Sequence, residues 1–246
     1  MIEGITRRPE VWVNCAVSLD GRLAYAQGRR ADLSSPEDLA RVQRLRADSD
    51  AILVGVGTVV ADDPSLRVHW EMLERPAGRA PWRIVLDPTG RTPVNARFLD
   101  GSVPTIAVTT DESTRSWPNA VRVLRIGARH IDLPHLFREL HDLGIRRVLI
   151  EGGARVLASV LRARLVDRLT VYIAPRLIGG TTAPPLMTGD ECVGPDGVVP
   201  LRRVAVEPLG EGILLTFVPP DGPDPAAARP PSYVPPRVDA GAKEIT

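Results

Sequence analysis

Short runs of β-branched and aliphatic residues alternate along this chain with stretches in which apolar residues recur every three or four positions. Val11 to Val17 (VWVNCAV) predicts a strand. Ser35, Pro36 and Asp38 predict a helix start, with an N-cap, a proline in the first turn and an acid at the capping-box position. That helix is expected to run to Asp48, with Leu39 and Val42 on its apolar face. Ala51 to Val56, Trp82 to Asp87, Pro104 to Thr110 and Val121 to Ile126 read as further strands. Asp132 opens a second helix with Leu133, Leu136, Phe137, Leu140 and Leu143 on one side, and Gly144 ends it. Arg146 to Glu151 predicts a strand, Ala154 to Leu165 a helix, and Leu169 to Pro175 a strand. VAVEPLGEGILLTFV then predicts two strands around a glycine-bearing turn. The alternation is that of the α/β class: a mostly parallel central sheet flanked by helices, with an antiparallel C-terminal hairpin and a binding crevice at the carboxyl ends of the strands.

Composition narrows the chemistry. The chain has 246 residues, 43% hydrophobic and 25% charged, with a formal net charge of +1, so it offers polyanions no general attraction. A nucleic-acid partner is not expected. The sole lysine is Lys243, which removes Schiff-base and P-loop lysines from the body of the chain. Cys15 and Cys192 are too few for a disulfide framework, and no CxxC, HExxH or EF-hand pattern calls for a metal. Nothing at the N-terminus reads as a signal peptide, and Ala51 to Ala61 is too short and glycine-rich to span a bilayer, so a soluble, cytoplasmic protein is expected. Residues 219 to 246 hold eight of the 24 prolines. They predict an extended or disordered tail after a folded domain at 1–218, either a passive overhang or a polyproline ligand or arm.

Three glycine turns fall at strand ends: VGVGT (Val54 to Thr58), EGGA (Glu151 to Ala154) and Gly179–Gly180. The first begins like a dinucleotide fingerprint but carries Val60 at its sixth position. The second stands between strand and helix, where unpaired helix amides accept an anion such as a pyrophosphate. On the first helix Arg46 lies seven residues after Leu39, on the inner side, where a charge needs a partner: an interior acid, or a ligand's phosphate or carboxylate. Asp62 and Asp63 either cap a turn or hydrogen-bond a sugar hydroxyl. Glu151 ends a strand where nothing short-range demands a carboxylate, and Asp20 is open to either a turn or a functional role. His135 and His141 are six apart on a helix and do not share a face, His130 reads as a loop residue, and His69 has no partner set by spacing.

NCAVSLDGRLA, RLRADSDAILVGVGTVVADDPSLRVHW, RIVLD, VLIEGGARVLASVL and VYIAPRLIGG occur here in the order found in the riboflavin-biosynthesis reductases. Over roughly residues 10 to 218 the chain resembles the reductase half of the bifunctional deaminase–reductase, and still more the free-standing archaeal-type pyrimidinone 5′-phosphate reductases. The zinc ligands of a deaminase half are absent.

The resemblance implies a dihydrofolate-reductase-like fold, NADPH as hydride donor (NADH being possible), a phosphorylated pyrimidine substrate and a homodimer. It assigns Thr58, Asp62, Asp87, Pro88, Ile131, Gly152, Gly153, Ala154 and Arg155 to the cofactor. Pro88 stands where the family has serine, Ala154 where glycine is common and Arg155 where threonine or leucine is common. It assigns Arg46, Leu66, His69 and Glu151 to the substrate; Arg46 and His69 are the candidates for holding its 5′-phosphate or nearby polar groups. His69 stands where the bacterial enzymes have arginine. Glu151 and Asp20 are the candidates for assisting ring opening or proton delivery, and Arg91 and Arg115 for a cofactor 2′-phosphate. Two rivals remain: a reductase of the same fold acting on another heterocycle such as a pteridine, and a non-catalytic nucleotide-binding scaffold that presents the tail.

Overall fold

The computed structural model describes residues 7–189 and 194–222. Cys192, Lys243 and the tail from residue 223 lie outside them. β1 (Glu10–Ser18) occupies an interior place in a nine-stranded sheet, between two strands made much later in the chain. The other strands are β2 (Ala51–Gly55), β3 (Trp82–Leu86), β4 (Thr105–Thr109), β5 (Val121–Arg125), β6 (Arg147–Gly152), β7 (Arg168–Ala174), β8 (Arg202–Leu209) and β9 (Gly212–Val218). Their order is β5-β4-β3-β2-β6-β1-β7-β9-β8. All pairings from β5 to β7 are parallel, and β9 joins β7 and β8 antiparallel, as the sequence predicts. β2 and β4 are buried at every position, the mark of parallel strands covered on both faces.

One face packs under α3 (Leu133–Asp142) and α4 (Ala154–Arg162), which bury Leu136, Phe137, Leu140, Leu157 and Val160 against Val11, Val13, Leu53 and Ile84. Asp132 caps α3 by accepting from the His135 amide at 2.9 Å. α4 has no side-chain cap, and it ends at Arg162, short of the Leu165 expected from the sequence. A missing cap costs about 1 kcal/mol. Each fully buried Val or Leu on the helix's inner side returns roughly 1.5–3 kcal/mol, so packing holds the helix and leaves its first turn open.

The opposite face carries Ile52, Val54, Val85, Ala107 and Phe98 beneath a helix that sequence reading missed, α2 (Val56–Asp62). Beside it lies α1 (Pro36–Ala47), capped by Ser35, which accepts from the Asp38 amide at 3.3 Å. Here the expected apolar face is wrong. Leu39 is 41% exposed, whereas Asp38, Arg41 and Gln43 are buried. Beneath them β1 presents Asn14, which accepts from Arg41 at 2.6 Å and from Thr170 of β7 at 2.8 Å. Arg41 also donates to Asp38 Oδ1 at 2.9 and 2.7 Å, so the expected capping-box acid serves the helix interior. A polar strand surface has selected a polar helix face.

Candidate functional site

Because the strands are parallel, Ser18, Gly55, Leu86, Gly152 and Ala174 all end at one edge of the sheet, and the turns that follow them meet there. Gly152 closes β6 with φ +132°, a conformation side-chain-bearing residues rarely adopt, and Gly153 is the N-cap of α4. The Gly153 amide donates to Thr58 Oγ1 at 3.0 Å, which ties the turn to α2. A Cβ on Gly55 would stand 2.7 Å from Val156 Cγ2, so the first glycine of VGVGT lets the end of β2 pack closely against α4. The start of α4 has no side-chain cap, with Ala154 half-buried and Arg155 exposed, and such a helix start is suited to an anion.

The adjacent acids have separate roles. Asp63 sits in the left-handed region (φ +40°) and accepts from the Arg97 amide at 2.8 Å, which makes it a turn residue. Asp62 has a buried Oδ1 with no protein partner, and burial raises its carboxyl pKa against the opposing charge of Arg30. That orphaned oxygen is free for a ligand's hydroxyl or amide. Asp87 is fully buried and accepts from the amides of Arg91 (2.8 Å) and Thr92 (2.7 Å), while the Pro88 carbonyl accepts from the Thr110 hydroxyl (2.8 Å). This pair shapes the turn after β3. Arg91 is exposed, Arg115 stacks 4.4 Å from the Trp117 ring centroid, and Ile131 packs half-buried against the α3–α4 core.

On the α1 side, Arg46 meets Glu151. Nε and Nη2 donate to the two carboxylate oxygens at 2.6 Å each, and Nη1 donates to the Arg67 carbonyl at 2.9 Å. Burial works against the guanidinium charge, and Glu151 outweighs it, so the Arg46 pKa is raised. The interior acid that the sequence asks of Arg46 is thus Glu151, one residue before the glycine turn. Leu66 is 2% exposed with φ +49° and anchors its loop in the core. The His69 ring is half-exposed, with Nδ1 2.9 Å from Glu71 Oε1.

Asp20 follows β1 but is spent on the loop after β7. It accepts from the amides of Ile178 (3.0 Å) and Gly179 (2.8 Å) and from the Ser18 hydroxyl (2.7 Å). The Ile178 amide first, then the Ser18 hydroxyl and the Gly179 amide, pull its pKa down to about 2. Such a group is ionised near neutrality and does not deliver a proton. Sequence reading missed Gln43, whose buried amide oxygen accepts from the His69 backbone N–H at 2.9 Å. No spacing rule links a helix residue to a loop 26 positions on.

A hollow of about 360 Å³ between Asp48, Asp50, Trp70, Arg75 and Pro81 opens at the strands' amino edge, away from these turns. Among the described residues, no group of three or more His, Cys, Asp or Glu side chains is arranged to hold a metal ion, and no helix is long and apolar enough to cross a membrane.

The fold is that of an α/β protein whose glycine turns and Arg46–Glu151 pair meet at the carboxyl edge of a parallel sheet. The chain belongs to the RibD C-terminal domain family, whose model matches residues 9–215. It is 35% identical over 218 residues to the 2,5-diamino-6-ribosylamino-4(3H)-pyrimidinone 5′-phosphate reductase of Archaeoglobus fulgidus, covering 85% of this chain and 97% of that one. With the riboflavin biosynthesis protein RibD of Escherichia coli it shares 40% identity over 181 residues, 70% of this chain and 49% of that protein. The structure of RibD from Acinetobacter baumannii superposes with a TM-score of 0.72 at 28% identity, covering 87% of this chain and 58% of that one. The chain therefore spans nearly all of the archaeal relative and about half of the bacterial proteins. The family resemblance and the expected fold class are both borne out.

Proposed function

We propose that this chain reduces 2,5-diamino-6-ribosylamino-4(3H)-pyrimidinone 5′-phosphate, or its deaminated form, to the ribitylamino product of riboflavin biosynthesis, with NADPH as the donor. The observation that carries this reading is the contiguity of Glu151, Gly152 and Gly153, which sets a carboxylate–arginine pair directly beside an open helix start. Membership of the family supports it.

The residues present fit a dinucleotide. The start of α4 offers unpaired amides to the pyrophosphate, Gly152 and Gly153 let the backbone approach it, and the orphaned Asp62 oxygen accepts a polar hydrogen. Thr58 fixes the turn, Asp87, Pro88 and Ile131 shape the neighbouring wall, and Ala154 and Arg155 line the helix start. When bound, the reduced nicotinamide supplies the hydride.

On the substrate side the sugar's ring C–O bond breaks as its C=N bond forms, and the proton lost from the amine nitrogen ends on the ring oxygen, which becomes a hydroxyl. Glu151, paired with Arg46, is the candidate acceptor for such a hydroxyl, and His69, half-exposed on its loop, is the candidate for the phosphorylated end. Hydride addition to the imine carbon and uptake of a proton at nitrogen complete the reduction. Positioning supplies most of the catalysis, and no lysine is required for an imine the substrate forms itself.

A cytoplasmic homodimer belongs to the same proposal. In support, β9 and the edge strand β8 leave Ile213 46% and Val206 50% exposed on neighbouring strands, an apolar face suited to a second copy.

The test is nicotinamide oxidation with the phosphorylated pyrimidinone, its dephosphorylated form and dihydrofolate, each with NADPH and NADH. Turnover confined to the phosphorylated compound is expected. NADPH binding without that turnover overturns the reading.

A further inference from the structure

The loop after α2 carries Leu66, Arg67 and His69 without regular structure of its own, yet it is pinned at several points. Leu66 is sunk in the core, and the Arg67 guanidinium pairs with Asp100 and Ser102. Its backbone is held from one side by a single stripe of α1. Gln43 and Arg46 are three residues apart, one helical turn, and so share a face. Arg46 Nη1 donates to the Arg67 carbonyl at 2.9 Å, and Gln43 Oε1 accepts from the His69 amide at 2.9 Å. One residue grips a carbonyl and the other an amide two positions later, which sets both the height and the rotation of the loop over α1. Arg46 is meanwhile fixed by Glu151 at 2.6 Å, so the stripe refers the loop to the end of β6.

Gln43 is 6% exposed on a helix whose other buried residues form a self-contained network with Asn14. Its partner is outside that network. A buried amide whose oxygen serves only a loop backbone N–H stabilises one loop conformation at the expense of the others, because leaving that N–H unpaired is costly.

We infer that Gln43 is a positioning residue for substrate recognition: through the His69 amide it holds the His69 ring at the height required to meet the substrate opposite Glu151. The inference rests on the proposed function for the identity of the substrate, and its content is the coupling between Gln43 and His69. Gln43 touches neither substrate nor cofactor, so its removal acts on substrate KM and leaves NADPH affinity alone.

The experiment is a double-mutant cycle with Gln43→Met, His69→Ala and the pair, read as KM and kcat for the phosphorylated pyrimidinone. Thermal stability and NADPH affinity are measured on each protein. Gln43→Met keeps the volume and deletes the acceptor, and it is expected to raise KM by roughly fivefold, with kcat changed less. In the His69→Ala background the same substitution is expected to have no further effect on KM, and Gln43→Glu, which keeps an acceptor, is expected to restore most of the wild-type KM. Additive effects on KM, or a KM change that tracks stability alone, overturn the inference. So does an unchanged KM in His69→Ala, since the ring then recognises nothing. Absence of turnover by the wild-type enzyme removes the proposed function and this inference with it, whereas turnover with additivity removes the inference alone.

Discussion

The hydroxyl of Thr58 accepts the amide N–H of Gly153 at 3.0 Å, joining the first turn of α2 to the residue that opens α4. These two helices leave neighbouring strands, and each begins at a glycine. The Gly153 amide is thereby fixed at the start of α4.

Thr58→Val removes this acceptor while keeping the side chain's shape. It is expected to raise the Kd for NADPH by about tenfold, the worth of one hydrogen bond to a positioned amide, while Thr58→Ser retains wild-type binding. Gly152→Ala, at φ +132°, is expected to cost more than either, because a Cβ strains the turn as well as crowding the ligand. Fluorescence titration of the cofactor measures all three.

Arg41 and Asp38 form a buried pair on the inner face of α1, 2.7 Å apart, with Asn14 as a third member. Replacing Arg41 by alanine strands a buried carboxylate, and urea unfolding is expected to show a loss of about 3–5 kcal/mol. Leu39→Ala on the exposed face is expected to stay within about 0.5 kcal/mol in the monomer. The reverse ranking would restore the apolar face read from sequence.

Asp20 fixes the loop after β7 through its ionised form. Its folded pKa, about 2, lies below an unfolded value of about 3.9, so its contribution is fully present above the unfolded value and is lost as pH falls from there through the folded one. Amide protection factors at Ile178 and Gly179, corrected for the intrinsic exchange rate at each pH, are expected to fall in Asp20→Asn at neutral pH, and in the wild type only as pH drops below about 4. The acid limb of the kcat profile is expected to be the same in both, since the group is no proton donor in the working range.

Cys15 is buried in the α3–α4 core, and burial pushes its thiol up to about 12. At pH 8 the thiolate is then about one part in ten thousand. In a Cys192→Ser protein a thiol-specific reagent is expected to leave Cys15 unmodified until urea unfolds the chain, as read by mass spectrometry. Rapid modification of the folded protein would show that the strand opens to solvent.

What the sequence conveys, and where it stops, follows from which interactions are local. Ser35 and Asp132 are legible as caps because the partner amide lies three residues away, and β2 is legible because burial on both faces leaves an unbroken apolar run. α2 is missed because VGTVVAD has two glycine-or-threonine positions and three valines in seven residues, a composition that only packing against Val85 and Phe98 makes helical. The inner face of α1 is misread because its partners, Asn14 and Thr170, sit on strands far off in sequence. In the site, Arg46 is partly buried although Leu39, the residue that pointed to it, is exposed, and its partner Glu151 is separated from it by 105 residues and emerges only with the sheet order.

That sheet order also bears on how the protein is made. β2 to β5 neighbour one another in the order of synthesis and can pair as they leave the ribosome. β1 is translated before any of them, yet its two neighbours are β6 and β7, and the ion pair of Glu10 with Arg147 closes a span of 137 residues. Until then VWVNCAV carries two open edges and an apolar face, the kind of segment that recruits other nascent chains or needs a chaperone's shelter. β1 is enclosed only after β7 has followed.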